Sequence, residues 1–179
     1  MHKRCYISAV TSSPPPPPGD DPTAEPDRWV PLHQLFRAMD DEIGEVYALR
    51  GIHGVRPRFA YPLIRLAHTG PLTIRELAAS LDRSHSALSQ TLTAMRREGL
   101  IDSAPGDEDA RTRRITLTER GRALVPFLEA EWRATKAVVA ELDDELPHPL
   151  SEAALALARA LQRRSMKERI LDHLDEPSS

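Results

Sequence analysis

Residues 71–124 read PLTIRELAASLDRSHSALSQTLTAMRREGLIDSAPGDEDARTRRITLTERGRAL, with two short amphipathic helices, a Gly-Leu stop and a charged hairpin following one another without a gap. Thr73-Ile74-Arg75-Glu76 is a capping box, in which a hydroxyl and a carboxylate satisfy N–H groups that a helix start leaves orphaned. The spacing predicts a helix from Thr73, with Ile74, Leu77, Ala78 and Leu81 as its apolar stripe. Asp82 and Arg83 form the turn, and Ser84 offers a second N-cap. The second helix runs to about Glu98, buries Leu88, Leu92 and Met95, and stops at Gly99.

The outward face of that second helix carries His85, Ser86, Ser89, Gln90, Thr93 and Arg97. Small donors let a backbone approach phosphates and base edges, and the Gln90 amide has the donor and acceptor pair that suits adenine in a major groove. An ordinary solvated face would look similar, so the hairpin carries the distinction. Leu100 to Ala104 reads as a strand, Pro105 to Ala110 as a loop, and Arg111 to Thr118 as a returning strand with Ile115 and Leu117 facing inward. Arg111, Arg113 and Arg114 then sit beside the second helix, where an arginine can enter an adjacent minor groove. The order is that of a winged helix-turn-helix, and it predicts binding to duplex DNA.

These residues resemble the multiple-antibiotic-resistance regulator (MarR) family of bacterial transcription factors. The resemblance rests on Glu76-Leu77-Ala78, on Leu81 through Ser89 with Leu92 and Met95, and on Gly99-Leu100-Ile101. It continues in Asp109-Ala110-Arg111-Thr112 and in Leu117-Thr118-Glu119-Arg120-Gly121, the most diagnostic pieces. It implies that Arg111 of the wing reaches DNA and that Asp109 holds the wing in shape. With Ser84, His85, Ser86, Ser89, Gln90, Thr93, Arg97 and Arg113, these are the candidate DNA-binding residues. The family usually places glycine where Asp82 stands and an apolar residue where Arg83 stands; Asp tolerates the left-handed backbone such a turn needs.

The fold class expected is mainly α: a winged helix-turn-helix with a small β wing, flanked by N- and C-terminal dimerisation helices. Residues 1–28 read as a disordered, proline-rich tail, since low apolar content and the run Pro14 to Pro18 cannot build a core. Residues 29–179 are the MarR-like domain, with 57–118 as its DNA-binding part and 29–56 and 119–175 as dimerisation helices. Leu32, Leu35, Phe36, Met39, Ile43, Val46 and Tyr47 mark the first helix, and Phe59 to His68 the next. A long helix is expected from Glu119 to about Leu142, with Pro126 near its start, then a break at Pro147-His148-Pro149. Ser151-Glu152 opens one last helix bearing Leu155, Leu161, Ile170, Leu171 and Leu174. That is more apolar helix than one small domain can cover, which predicts a homodimer reading a palindromic operator with half-sites one helical turn apart.

The net charge of −3 resolves along the chain: residues 71–122 hold nine Lys and Arg against eight Asp and Glu, and the remainder is net −4. Arg75, Arg83, Arg96 and Arg97, with the wing, are left to hold phosphates, so binding should depend steeply on salt. The single Cys5 excludes a disulfide framework, and His33, His53, His68, His85, His148 and His173 lack paired ligand spacing. No metal, no cofactor and no enzymatic activity is expected. The chain also lacks a long apolar run, so the expected location is cytoplasmic, away from membranes.

The resemblance further implies release from DNA when a small, often anionic aromatic ligand occupies a pocket beside the dimerisation helices. His33, Phe36, Arg58, Tyr61 and Trp132 are its candidate lining, although each of the aromatics Phe36, Tyr61 and Trp132 reads more readily as core. The alternative to a DNA-binding repressor is a winged-helix module for protein–protein interaction, which an acidic chain would suit.

Overall fold

The computed structural model describes residues 21, 23, 27–105 and 113–175. The proline-rich tail with Cys5, and the loop with Asp109 and Arg111, lie outside them. The chain divides into two compact units, one running to Val125 and one starting at Pro126.

In the first unit, α1 (Val30–Leu49) begins at Pro31 in its first turn and ends where Gly51 takes φ +71°. There Gly51 N–H donates to Ala48 O and Ile52 N–H to Tyr47 O, both at 2.9 Å, a Schellman closure that satisfies the last carbonyls. Tyr47, 1% exposed, anchors the helix. A single 3-10 turn at Pro57–Phe59 leads into α2 (Ala60–Thr69), whose Ala60, Pro62, Leu63 and Leu66 are buried.

The middle of the chain follows the expected order: α3 (Ile74–Ser80), α4 (His85–Arg97), β2 (Ile101–Pro105) and β3 (Arg113–Leu117). One element is additional. Leu72–Thr73 form β1, which pairs antiparallel with β3, so the wing is a three-stranded sheet in the order β1-β3-β2. The hairpin strands are also shifted from their expected bounds, since Leu100 and Thr118 fall outside them and Pro105 falls inside. Ile115 faces Leu72 on one side and Ser103 on the other, and Leu117 pairs with Ile101. Ile101, Ile115 and Leu117 join Leu77, Leu88, Leu92, Met95 and Leu100 as the buried core beneath the two short helices. Full burial of such side chains contributes about 1.5–3 kcal/mol each.

The long helix α5 (Glu119–Glu145) runs through Pro126 and three residues beyond the expected end. In the second unit the expected single last helix is two: α6 (Leu150–Arg163) and α7 (Met166–Asp175). The reason is a second capping box. Ser165 Oγ accepts from Glu168 N–H at 3.2 Å, and the Glu168 carboxylate accepts from Ser165 N–H at 2.7 Å. Arg164 pairs with Asp172, and Arg169 donates to the carbonyls of Ala160 and Arg164, which fixes the corner. Pro149 brings no side-chain cap to α6, and Asp143 supplies one instead, accepting from Leu150 N–H at 2.7 Å and Ser151 N–H at 3.2 Å. No residue of α6 or α7 is buried within this chain. No helix among the described residues is long and apolar enough to cross a membrane.

Candidate nucleic-acid interface

The presentation of α4 begins one helix earlier. Thr73 Oγ accepts from Glu76 N–H at 3.1 Å while the Glu76 carboxylate accepts from Thr73 N–H at 2.7 Å, so α3 starts where the sequence predicts. These bonds hold the Glu76 carboxyl below its usual range, the Thr73 backbone N–H first and its hydroxyl next, with the Arg114 charge adding less. At the other end of α3, Asp82 adopts φ +50°. Asp82 N–H reaches Ala79 O at 3.3 Å and Arg83 N–H reaches Ala78 O at 3.0 Å, a Schellman turn built without glycine. Arg83, where such a turn usually packs an apolar side chain, is exposed.

Ser84 then caps α4, its Oγ accepting from Ala87 N–H at 3.3 Å. Leu88, Leu92 and Met95 are buried, which turns the opposite face outward. Ser84, His85, Ser86, Gln90, Thr93 and Arg97 are exposed on α4 and its cap, and Ser89 is half-buried at the flank. Arg75, Arg83 and Arg96 are exposed as well. The helix closes at Gly99, φ +65°, with Gly99 N–H on Arg96 O and Leu100 N–H on Met95 O, both at 3.0 Å.

The wing arginines divide by partner. Arg113 folds back across the hairpin, its Nε donating to Ser103 Oγ at 3.0 Å and its Nη2 to Ser103 O at 2.8 Å. Arg114 turns to the other edge, donating to Pro71 O at 3.0 Å and standing 3.8 Å from Glu76. Both guanidiniums therefore brace the sheet, a role with no local sequence signal because each partner lies far along the chain. Asp109 and Arg111 lie outside the described residues.

The segment after the wing locks α4 in place. Thr118 Oγ donates to Gly99 O at 2.7 Å and accepts from Gly121 N–H at 3.0 Å. Arg120 donates to Glu98 O and, at 3.0 Å, to His53 O. Gly121 passes so close to Leu100 O that a Cβ would collide with it. Leu117-Thr118-Glu119-Arg120-Gly121 is thus a fastening for the end of α4.

A model of the MarR family matches residues 53–112. The chain also aligns with solved structures. The MepR–DNA complex of S. aureus has a TM-score of 0.56 and 20% identity, over 78% of this chain and 99% of that one. The transcriptional regulator SlyA gives 0.54 and 17%, over 82% and 99%. A Listeria monocytogenes regulator complexed with 26mer DNA gives 0.52 and 17%, over 87% and 100%. At these identities the likeness shows a shared fold, the winged helix of MarR regulators. No curated protein sequence matches the chain.

The five residues proposed to line a MarR-type ligand pocket are placed as follows. Arg58 is exposed and lines a cleft of about 460 Å³ with Arg37, Asp40, Asp41, Gly44, Val55, Arg56 and Pro57. His33, Phe36 and Tyr61 are not in that lining, and the two aromatics are 48% and 45% exposed, so neither is core. Trp132, in the second unit, is half-buried. Sequence reasoning missed the charged wall of Arg37, Asp40 and Asp41, whose one-turn spacing on α1 was the available signal.

Proposed function

We propose that the protein is a sequence-specific, double-stranded-DNA-binding transcriptional regulator. It acts as a homodimeric repressor on a palindromic operator and leaves it when a small ligand binds. The observation that carries this reading is the outward face of α4, where Ser86, Gln90, Thr93 and Arg97 stand exposed opposite buried Leu88, Leu92 and Met95. Ser84, His85 and Ser89 complete the contact set around the helix N-terminus, whose N–H groups favour a phosphate. Arg111 carries the wing contact, Asp109 takes the wing-shaping role the resemblance implies, and Arg113 supports the contact from the strand. The related folds solved with DNA, the MepR complex and the Listeria complex, add support.

The dimer reading is supported by apolar side chains left in solvent. Trp29, Leu35, Phe36 and Leu49 on and around α1, and Leu155, Ile170, Leu171 and Leu174 on α6 and α7, are exposed within one chain. Large apolar side chains left exposed on a monomer are what an interface would cover, and this supports the dimer reading. For ligand release, Arg58 supplies the cation for an anionic aromatic molecule, with His33, Phe36 and Tyr61 as the remaining candidates in the first unit.

Recovery of fragments from sheared genomic DNA at two salt concentrations tests the reading. A recurrent palindrome surviving the higher salt supports it; weak, sequence-blind binding that vanishes with salt would favour a protein-docking module instead. For the ligand arm, Arg58→Ala should abolish small-molecule-induced release while leaving DNA binding intact.

A further inference from the structure

On α4, Thr93 stands on the same outward face as Ser86, Gln90 and Arg97, and it is exposed. Its hydroxyl hydrogen is already committed: Oγ1 donates to the carbonyl of Ser89, one turn back, at 2.9 Å, which leaves the oxygen only as an acceptor. Thr91 makes the same bond to Ala87 O at 3.2 Å, but Thr91 is half-buried on the flank and cannot meet a ligand as Thr93 can. A threonine whose donor is spent on its own helix has one group left that distinguishes it from serine, the Cγ2 methyl. In a major groove the apolar feature that marks one base is the C5-methyl of thymine, and a threonine methyl is a recognised contact for it. Gln90, three residues earlier on the same face, carries the paired donor and acceptor that suits adenine.

We propose that Thr93 is a specificity-determining residue that reads a thymine through its methyl group, its hydroxyl serving the helix rather than the DNA. The proposal rests on the reading that α4 lies in a major groove. It makes the half-site A·T-containing where Gln90 and Thr93 touch it, and it assigns the discrimination at one position to apolar contact rather than to hydrogen bonding.

The test uses the full chain and the duplex enriched from a random library, synthesised with thymine or with deoxyuridine, which lacks the C5-methyl, at each thymine in turn. Thr93→Val keeps the methyl and removes the hydroxyl; Thr93→Ser does the reverse. Wild type and Thr93→Val should each lose about fourfold in affinity per half-site when one particular thymine becomes uracil, the worth of one buried methyl. Thr93→Ser should bind the thymine duplex as weakly as wild type binds the uracil duplex, and should not respond to that exchange. Thr93→Ser behaving as wild type on both duplexes, or Thr93→Val losing affinity while Thr93→Ser keeps it, would overturn the assignment. Enrichment of no duplex at all would overturn the groove reading itself, and Thr93 with it.

Discussion

The guanidinium of Arg120 is hydrogen-bonded to the backbone carbonyl of Glu98, the residue that caps the C-terminus of α4. Its second arm holds His53 O at 3.0 Å, so one side chain joins the loop after α1 to the end of the helix that presents Gln90 and Thr93. Hydrogen bonds from a charged donor are the stronger kind, and these are partly screened by solvent. Arg120→Ala should therefore lower unfolding free energy by about 1–2 kcal/mol, read as a shift in urea midpoint at unchanged m-value. Arg120→Lys should recover only part of it, because an ammonium lacks the two-armed fork.

Gly121 tests the same fastening by a different physics. A methyl group there meets a backbone oxygen rather than a flexible side chain, so the strands and helix must shift to admit it. Gly121→Ala should destabilise by about 1–3 kcal/mol, as overpacking does, despite alanine's better helix propensity. A thermal melt equal to or above wild type would show that α5 can move away from Leu100 freely.

At Asp82 the backbone stands at φ +50°. Asp82→Gly should leave stability within about 0.5 kcal/mol, whereas Asp82→Val should cost about 1–2 kcal/mol, the left-handed penalty of a residue with a branched Cβ. Because the turn aims α4, Asp82→Val should also weaken binding to the enriched duplex even at temperatures where it remains folded. Chemical denaturation and duplex titration of the same samples check both.

How much of this was legible in the sequence follows from how local each determinant is. Thr73 and Glu76, Ser84, Asp82 and Gly99 act within four residues of themselves, and each helix boundary they set agrees with the expectation. The Ser165-x-x-Glu168 box is equally local, but it is hidden in the sequence because the apolar residues from Leu155 to Leu174 read as one continuous stripe. β1 has two residues, too few for any periodicity, and exists only because β3 offers it an edge. Arg113 and Arg114 show the limit most clearly. Their charges mark them as phosphate ligands, but Ser103 lies ten positions away and Pro71 forty-three, and only the folded register reveals those bonds. The candidate ligand cluster rests on residue types alone, whereas the cleft at Arg58 recruits α1 carboxylates that no aromatic criterion would select.

Acid should expose the capping carboxylates. Glu76 and Glu168 are held below their usual range by the Thr73 and Ser165 N–H and hydroxyl groups, and Asp143 is lowered first by the Ser151 hydroxyl and then by backbone N–H bonds. A carboxyl with a depressed folded-state pKa binds its proton more readily unfolded, so its stabilisation is present above the ordinary carboxylate range, about pH 4, and is lost as pH falls through the folded value. Stability should be flat near neutrality and decline below about pH 4. Glu76→Gln and Glu168→Gln should each shrink that decline, measured by denaturant midpoint against pH. An undiminished acid slope in the double variant would place the titrating groups elsewhere.

The central claim, that the outward face of α4 reads duplex DNA, is tested most directly by titrating wild type, Gln90→Ala and Arg97→Ala against the enriched duplex and a scrambled one over a range of salt. Wild type should prefer the enriched duplex by about a thousandfold or more, with affinity falling steeply as salt rises. Gln90→Ala should lose about 1–3 kcal/mol on the enriched duplex alone, while Arg97→Ala should weaken both duplexes alike and flatten the salt slope by about one unit per half-site. Equal affinity of all three proteins for both duplexes, or a salt slope that Arg97→Ala leaves untouched, would contradict the account.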